Sequence, residues 1–438
     1  MPRPVNKASC NTCRRRKLKC DQATPVCRKC AKSNRYCDRS DRSAEFRASH
    51  LDAAAAQIIG QSDASSKTPR DALQDQKIAR LFHHYISDLS KWYDLSDAAS
   101  AFEVTVPLIS LQEPLLFFAI ISLSAMHMSK TTASSFRTTA ENYHDRCVQL
   151  LINIKENDAV MTGGVALAAT CLLRSYEILD SDIDPNMHLR GAYSMVSIQD
   201  ILPGELHRGL LAAGFWNFLR EDITFSLFKN CPLKIDLKFV SLSVDHDSDQ
   251  DYLNSITLIL GRIINIAFDH SFSVDEWKNT LELVRQWSLT CPRRLRPFSS
   301  QPGGPGTNDL FPRAWFLQPC HASVMHYYFT TLVVLIVHSS TEGFQDLQSL
   351  DLHEYDLKAK EDLLEAMAME ICGIAFTKKT PSVVVNAFGP MSYCSKFIRT
   401  EAPRQELTRQ LLACKSSIGW PVQRLVDDLE TLWRASGV

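Results

Sequence analysis

The sequence predicts two unlike parts in one chain: a small cysteine-rich two-helix module followed by a large all-α domain. Three observations carry this. Six cysteines crowd into residues 10–37 of a 438-residue chain. The first 50 residues hold 14 Lys and Arg against 4 Asp and Glu, a net of +10, while the other 388 hold 34 against 45, a net of −11. Beyond about residue 76, apolar residues recur on a 3.6-residue period and few stretches alternate by twos. The length accommodates one small and one large domain, and 45% hydrophobic with 22% charged residues suits a globular chain with a sizeable core. A basic head on an acidic body places the head, and not the body, against a polyanion.

The N-terminal "MPRPVNKASC" has no apolar core of the kind a secretory signal needs. The most apolar runs, 115–126 and 330–337, are shorter than the roughly 20 residues that span a bilayer. The expectation is therefore an intracellular chain with no membrane partner. Structural disulfides are disfavoured in that compartment, and a regular cysteine cluster there reads as metal-binding. The other eight cysteines (147, 171, 231, 291, 320, 372, 394 and 414) are scattered singly and read as small buried hydrophobes.

The cluster runs Cys10-x2-Cys13-x6-Cys20-x6-Cys27-x2-Cys30-x6-Cys37, a half-motif written twice. Tetrahedral zinc takes four ligands. Two zinc ions need eight bonds from six thiolates, and the count closes if two sulfurs bridge. Internal symmetry nominates Cys10 and Cys27, the first cysteine of each half. One ion then takes Cys10, Cys13, Cys20 and Cys27, and the other Cys10, Cys27, Cys30 and Cys37. Six thiolates and two zinc ions carry a charge of −2, which the surrounding cations more than offset. Zinc supplies the folding free energy that so short a segment lacks, on the order of 10 kcal/mol per structural ion. The head is thus expected to be a zinc-nucleated module.

These residues resemble the zinc binuclear cluster DNA-binding domain of fungal transcription factors. All six cysteines match, as do the basic run "RRRKLK" (14–19) and Pro25, two residues before the fourth cysteine. "CRRRKLKC" reads as part of a short helix beginning near Cys10, and related modules place such a helix in the major groove. The resemblance implies that Arg16 and Lys17 lie closest to base edges, usually of a CGG triplet, where Lys and Arg donate to guanine O6 and N7. Arg14 and Lys19, with Arg28, Lys29, Lys32 and Arg35, read as phosphate contacts that set affinity and salt dependence. "RRRKLK" also suits a nuclear import signal, so the expected location is the nucleus.

The module is assigned to residues 1–42, a linker to 43–75 and the helical body to 76–438. In the linker, Phe46, Leu51, Ala55, Ile58 and Ile59 suggest one amphipathic helix, but no heptad is sustained. The segment therefore gives little ground for a dimer of its own, and a monomer, or a homodimer made by the body, stays open. The body's first stripe is Ile78, Phe82, Tyr85, Leu89 and Trp92. Others are 140–143–147–151–154, 256–259–263–266, 277–281–284–287 (with Ser273 and Glu276 suited to a capping box), and 422–425–429–432 with Trp433, opened by Pro421. Only 236–244 and 381–388 look strand-like. Residues 245–251 and 299–309 read as loops. The stretches 81–95, 140–152 and 215–233 resemble the helical regulatory domain that follows the cluster in many of these factors.

No catalytic constellation appears. The alternating aspartates of 245–251 lack the glycine and glutamate of an EF-hand, having Gln250 and Ile256 at those positions. "GGPG" (303–306) lacks the Lys-Ser/Thr of a phosphate loop. His83, His84, His321 and His326 have no metal-ligand spacing. The acidic, apolar "VQRLVDDLETLW" (422–433) could be an activating segment, but its regular period favours a packed helix. The function expected is a sequence-specific DNA-binding factor, not an enzyme, regulating RNA polymerase II transcription of metabolic or biosynthetic-cluster genes. Its partners are then double-stranded DNA, the transcription machinery or co-regulators, and a small-molecule effector if the body is a metabolite receptor. The remote alternative is an enzyme with a structural zinc appendage.

Overall fold

In the computed structural model, the described residues are 19–21, 23, 27–32, 68–154, 159–180, 209–237, 240, 246–269, 274–304, 309–339 and 359–435. They fall in two units, one within 1–66 and the other from Lys67 to the end. In the first, the described helix is α1 (Arg28–Lys32). The first helix expected near Cys10 and the amphipathic segment around Phe46–Ile59 lie outside the described residues.

The second unit begins with a short turn of helix, α2 (Pro69–Ala72), inside the segment assigned to the linker. Thr68 caps it, and Asp71 reaches back to the Thr68 N–H. Then follow α3 (Gln76–His84), α4 (Thr105–Ser110), α5 (Pro114–Thr131), α6 (Arg137–Ile152), α7 (Ala159–Thr162), α8 (Val165–Leu179) and α9 (Gly209–Lys229). The second half contributes α10 (Asp249–Phe268), α11 (Val274–Thr290), α12 (Pro319–His338), α13 (Lys360–Lys378), α14 (Pro381–Cys394), α15 (Glu401–Ile418) and α16 (Val422–Ala435).

The core is organised around α5 and α12. α5 packs on α3, α6 and α8, while α12 packs on α10, α13 and α14. Both are apolar on every side, as befits helices enclosed by others. At 18 and 20 residues they exceed the apolar runs read in the sequence and reach the length and apolarity of a membrane span. Most of each, 78% and 89%, is buried inside the fold, so their apolarity builds the core.

Sequence expectations for five segments are corrected. The stripe from Ile78 to Trp92 is not one regular helix: α3 ends at His84, and the chain continues as a π-turn over Tyr85–Leu89 and a 3₁₀ turn over Ser90–Trp92. Ser87 and Ser90 donate to the carbonyls of His83 and Ile86 there, competing with the helical ladder. Residues 381–388 form the start of α14, not a strand. Thr380 stands at its N-cap and Pro381 in its first turn, while Val383, Val384, Ala387 and Phe388 are buried. In 236–244, the described Asp236, Leu237 and Val240 are in no strand. The end of the acidic loop, Asp249–Asp251, is the start of α10, where Ser248 and Asp251 form a capping box. Residues 299–309 contain the first strand of a hairpin, β1 (Ser299–Gln301) with β2 (Arg313–Trp315), antiparallel, with Ser300 opposite Ala314. The body is therefore helical with one small hairpin, not strictly all-α.

That hairpin is held close to α13 by a glycine. A Cβ at Gly373 would lie 2.1 Å from the Pro312 carbonyl oxygen. The remaining helical stripes fold as read. Ala140 and Cys147, Ile256, Ile259 and Ile263, and Trp277, Val284 and Trp287 are buried; Ser273 of the expected capping box lies outside the described residues. In α16, Val422, Leu425, Leu429 and Trp433 face the core, whereas Leu432 is 44% exposed. The indole N–H of Trp433 donates to the Ser395 carbonyl at 3.1 Å, so this segment is a docked helix.

Candidate metal centre and nucleic-acid interface

Three of the six expected ligands lie in described residues, and they converge. Cys20, Cys27 and Cys30 are buried and form a cluster of their own, separate from the body's core. Cys27 immediately precedes α1 and Cys30 lies within it. The Cys30 N–H donates to Cys27 Sγ at 3.4 Å. Ligand atoms of Cys20, Asp21 and Cys27 all lie within 4.8 Å of one another.

Asp21 was not singled out by the sequence, and its position explains its presence. Its carboxylate accepts the Arg28 N–H at 3.1 Å and 3.2 Å, tying the segment after Cys20 to the first turn of α1. Both oxygens are thereby engaged in positioning the thiols. An acidic residue directly after the third cysteine was the only signal available.

The donor set fits zinc. Soft thiolates are zinc's preferred structural ligands, and packing three small thiols together with no larger apolar side chain among the described residues of this unit gives little stability without an ion. Cys27 neighbours both Cys20 and Cys30, the placement a shared sulfur requires.

Around the thiols the side chains are cationic and outward. Lys19, beside Cys20, is exposed, as are Arg28, Lys29 and Lys32 on α1. These are four of the expected phosphate-contacting positions. Cys10, Cys13, Cys37, Arg14, Arg16, Lys17, Pro25 and Arg35 lie outside the described residues.

The other candidates resolve into structural roles. Asp249 accepts from His321 Nε2 and Arg294 Nη2, both at 2.8 Å. Burial alone would raise its carboxyl, but these partners hold it below the usual range. His84 sits between Asp88 and His127, at 3.1 Å and 3.0 Å. Burial pushes the thiols of Cys171 and Cys372 up to about 12, so these cysteines behave as inert hydrophobes.

Comparison with known proteins agrees with this geometry. Residues 8–45 match the fungal Zn(2)-Cys(6) binuclear cluster domain, which binds two zinc ions through six cysteines. Residues 80–269 match the fungal specific transcription factor domain. A curated relative, the transcription activator AMTR1 of Alternaria alternata, is 59% identical over 32 residues, covering 7% of this chain and 4% of that protein. The chain thus spans only a small fraction of that relative's length. No solved structure matches the chain significantly. The chain thus carries, in order, a match to the fungal Zn(2)-Cys(6) binuclear cluster domain at its head and a match to the fungal specific transcription factor domain in its helical body.

Proposed function

We propose that this protein is a nuclear, sequence-specific DNA-binding regulator rather than an enzyme. The observation that carries this is the convergence of Cys20, Cys27 and Cys30 within a shell of exposed cations, in the segment that matches the cluster domain. The module has two short helices around two zinc ions, with Cys10 and Cys27 bridging. Arg16 and Lys17 read a CGG-type triplet, while Arg14 and Lys19 engage phosphates. The regulated genes are metabolic or belong to a biosynthetic cluster, and the body recruits the transcription machinery or co-regulators. A homodimer would read two triplets at fixed spacing, and a monomer one. The match to a transcription activator supports the regulatory reading.

Zinc content measured by native mass spectrometry tests the metal assignment. Two zinc ions per chain are expected. Cys27→Ser removes a ligand from both sites and lowers zinc content more than Cys20→Ser, which affects one. A single zinc in the parent protein, or equal losses in the two variants, would overturn the bridged arrangement.

A second reading, additional to the first, makes the body a receptor for a small-molecule effector. A cavity of about 500 Å³ in the body favours it.

A further inference from the structure

The hairpin turns large apolar side chains outward. Along β2 the pleat alternates: Ala314 is buried with Ala322, Met325, Ile374 and Val383, while Arg313 and Trp315 on either side of it are exposed. Trp315 is 36% exposed and Leu317, just past the strand, 66%. Phe298, whose N–H donates to the Trp315 carbonyl at 2.9 Å, is 65% exposed. Large apolar side chains gathered at a surface mark a place that a partner covers.

Trp315 and Leu317 border a shallow groove. Its lining includes the buried Ala314, Ile374 and Val383 and the exposed Lys378 and Lys379 at the end of α13. The Ala314 N–H is already taken by Thr377 Oγ1 at 3.1 Å, so the groove offers side chains rather than a strand edge.

The charge around the groove is one-sided. Residues 289–301, 309–319 and 374–380 hold six cations (Arg293, Arg294, Arg296, Arg313, Lys378 and Lys379) against one acid, Asp309, on a body whose net charge is negative. Asp249 holds Arg294, and Asp309 holds Arg313. The other four are exposed and have no ion pair among the described residues. Lys379 acts on Glu406, but Arg409 already engages that carboxylate at 2.6 Å.

This combination chooses among the possible occupants. A second copy seated face to face would set the lysines against one another. Duplex DNA would take the cations and leave Trp315 and Leu317 unused. A flat lipid surface does not fill a concave groove. An acidic amphipathic helix uses every feature, its apolar stripe entering the groove while its Asp and Glu meet the lysines.

We infer that the groove between the hairpin and α13 docks an acidic amphipathic helix of a partner protein, its apolar stripe on Trp315 and Leu317 and its carboxylates on Lys378 and Lys379. The inference rests on the reading of the body as the part that recruits co-regulators, and it names the surface and the partner's chemistry.

The test uses the full-length, zinc-loaded chain and fluorescence anisotropy with three labelled peptides of about 18 residues, roughly five helical turns. The first is an amphipathic helix of Leu, Phe and Glu. The second carries Lys for Glu, and the third carries Ser for Leu and Phe, so it measures plain attraction to the basic head. The first should bind at least about tenfold more tightly than either control. Leu317→Ser, and separately the pair Lys378→Glu with Lys379→Glu, should each weaken it by about tenfold or more. Leu108→Ser removes a similarly exposed leucine on α4 and should change nothing. All four positions are at the surface, and thermal melts check that each variant folds. The inference is overturned if the first peptide binds no better than a control, if the groove variants bind it as the parent does, or if Leu108→Ser weakens it equally. Sedimentation of the free chain and flotation with phosphatidylserine vesicles test the rival occupants. A dimer, or vesicle binding, that Leu317→Ser removes would assign the face to a second copy or to lipid and overturn the inference. Peptide binding that survives every groove variant leaves co-regulator recruitment standing and refutes the groove alone. DNA selection on the same preparation tests the regulator reading separately, and a chain that binds the peptide at the groove but selects no DNA refutes that reading alone.

Discussion

His326 gives the body a pH dependence whose size follows from its surroundings. It lies on α12 at 1% exposure, with Nε2 donating to the Ile371 carbonyl at 3.0 Å. Nδ1 has no partner among the described residues. Burial lowers the imidazole from the ordinary 6.5 to about 4, and the bond to Ile371 offsets this only in part. The folded protein therefore holds His326 neutral, while the unfolded chain takes up a proton as pH falls below about 6.5. Stability is complete above that value and is lost between about 6.5 and 4, at roughly 1.4 kcal/mol per pH unit. At pH 5 the loss is about 2 kcal/mol. His326→Leu deletes this titration. At pH 7.5 the variant trades one hydrogen bond of about 1 kcal/mol for relief of an unpartnered buried nitrogen of similar cost, so it should match the parent. At pH 5 it should be more stable by about 2 kcal/mol, or 2–3 °C in Tm for a body of this size. The comparison is with the parent because Asp94, raised to about 7 chiefly by burial, contributes with the opposite sign over the same window. Thermal melts of both proteins at the two pH values are the assay. A Tm difference that does not change with pH would refute the reasoning.

Three other outcomes are expected. Arg220→Met leaves Asn386 Oδ1, Asn217 Oδ1 and Ser96 Oγ without their donor, and the cavity admits water to replace only part of it; Tm should fall by about 4 °C, for a loss of about 3 kcal/mol, and an unchanged melt would show that the network contributes nothing. Gly373→Ala gains about 1 kcal/mol of helix propensity, but its methyl meets the Pro312 carbonyl oxygen at 2.1 Å; overpacking of about 1–3 kcal/mol should prevail, whereas a raised Tm would contradict the close approach. Chelation should remove on the order of 10 kcal/mol per zinc from the head and abolish DNA binding while leaving the body's helical dichroism intact; parallel loss of both signals would contradict two separately stabilised units.

The legible features were those whose physics is local. Zinc coordination constrains residue types and spacing directly, so Cys20, Cys27 and Cys30 could be paired from their separation alone, and they converge in the structure. Amphipathic helices at the surface show their period, as Trp277, Val284 and Trp287 did. The misread segments fail for the converse reason. α14 is enclosed on several sides, so its valines show no helical stripe and their β-branching suggested a strand. β1 is built from Ser299, Ser300 and Gln301 beside Gly and Pro, composition that reads as loop, and its pairing depends on Arg313–Trp315 across a gap. Ser87 and Ser90 turned the first helix aside through backbone hydrogen bonds that periodicity does not register. The cavity was invisible because its walls come from positions as distant as Trp92 and Asp428.

The central claim is that zinc-held thiols present a DNA-reading surface. In vitro selection from random duplex DNA tests it most directly, using the full-length chain with zinc, a chelated sample and Lys17→Ala. A CGG-type motif should emerge with zinc and disappear in the other two samples, as one triplet for a monomer or two at fixed spacing for a dimer. If the zinc-loaded protein enriches no sequence above background, the cluster serves structure alone and the account of the head is wrong.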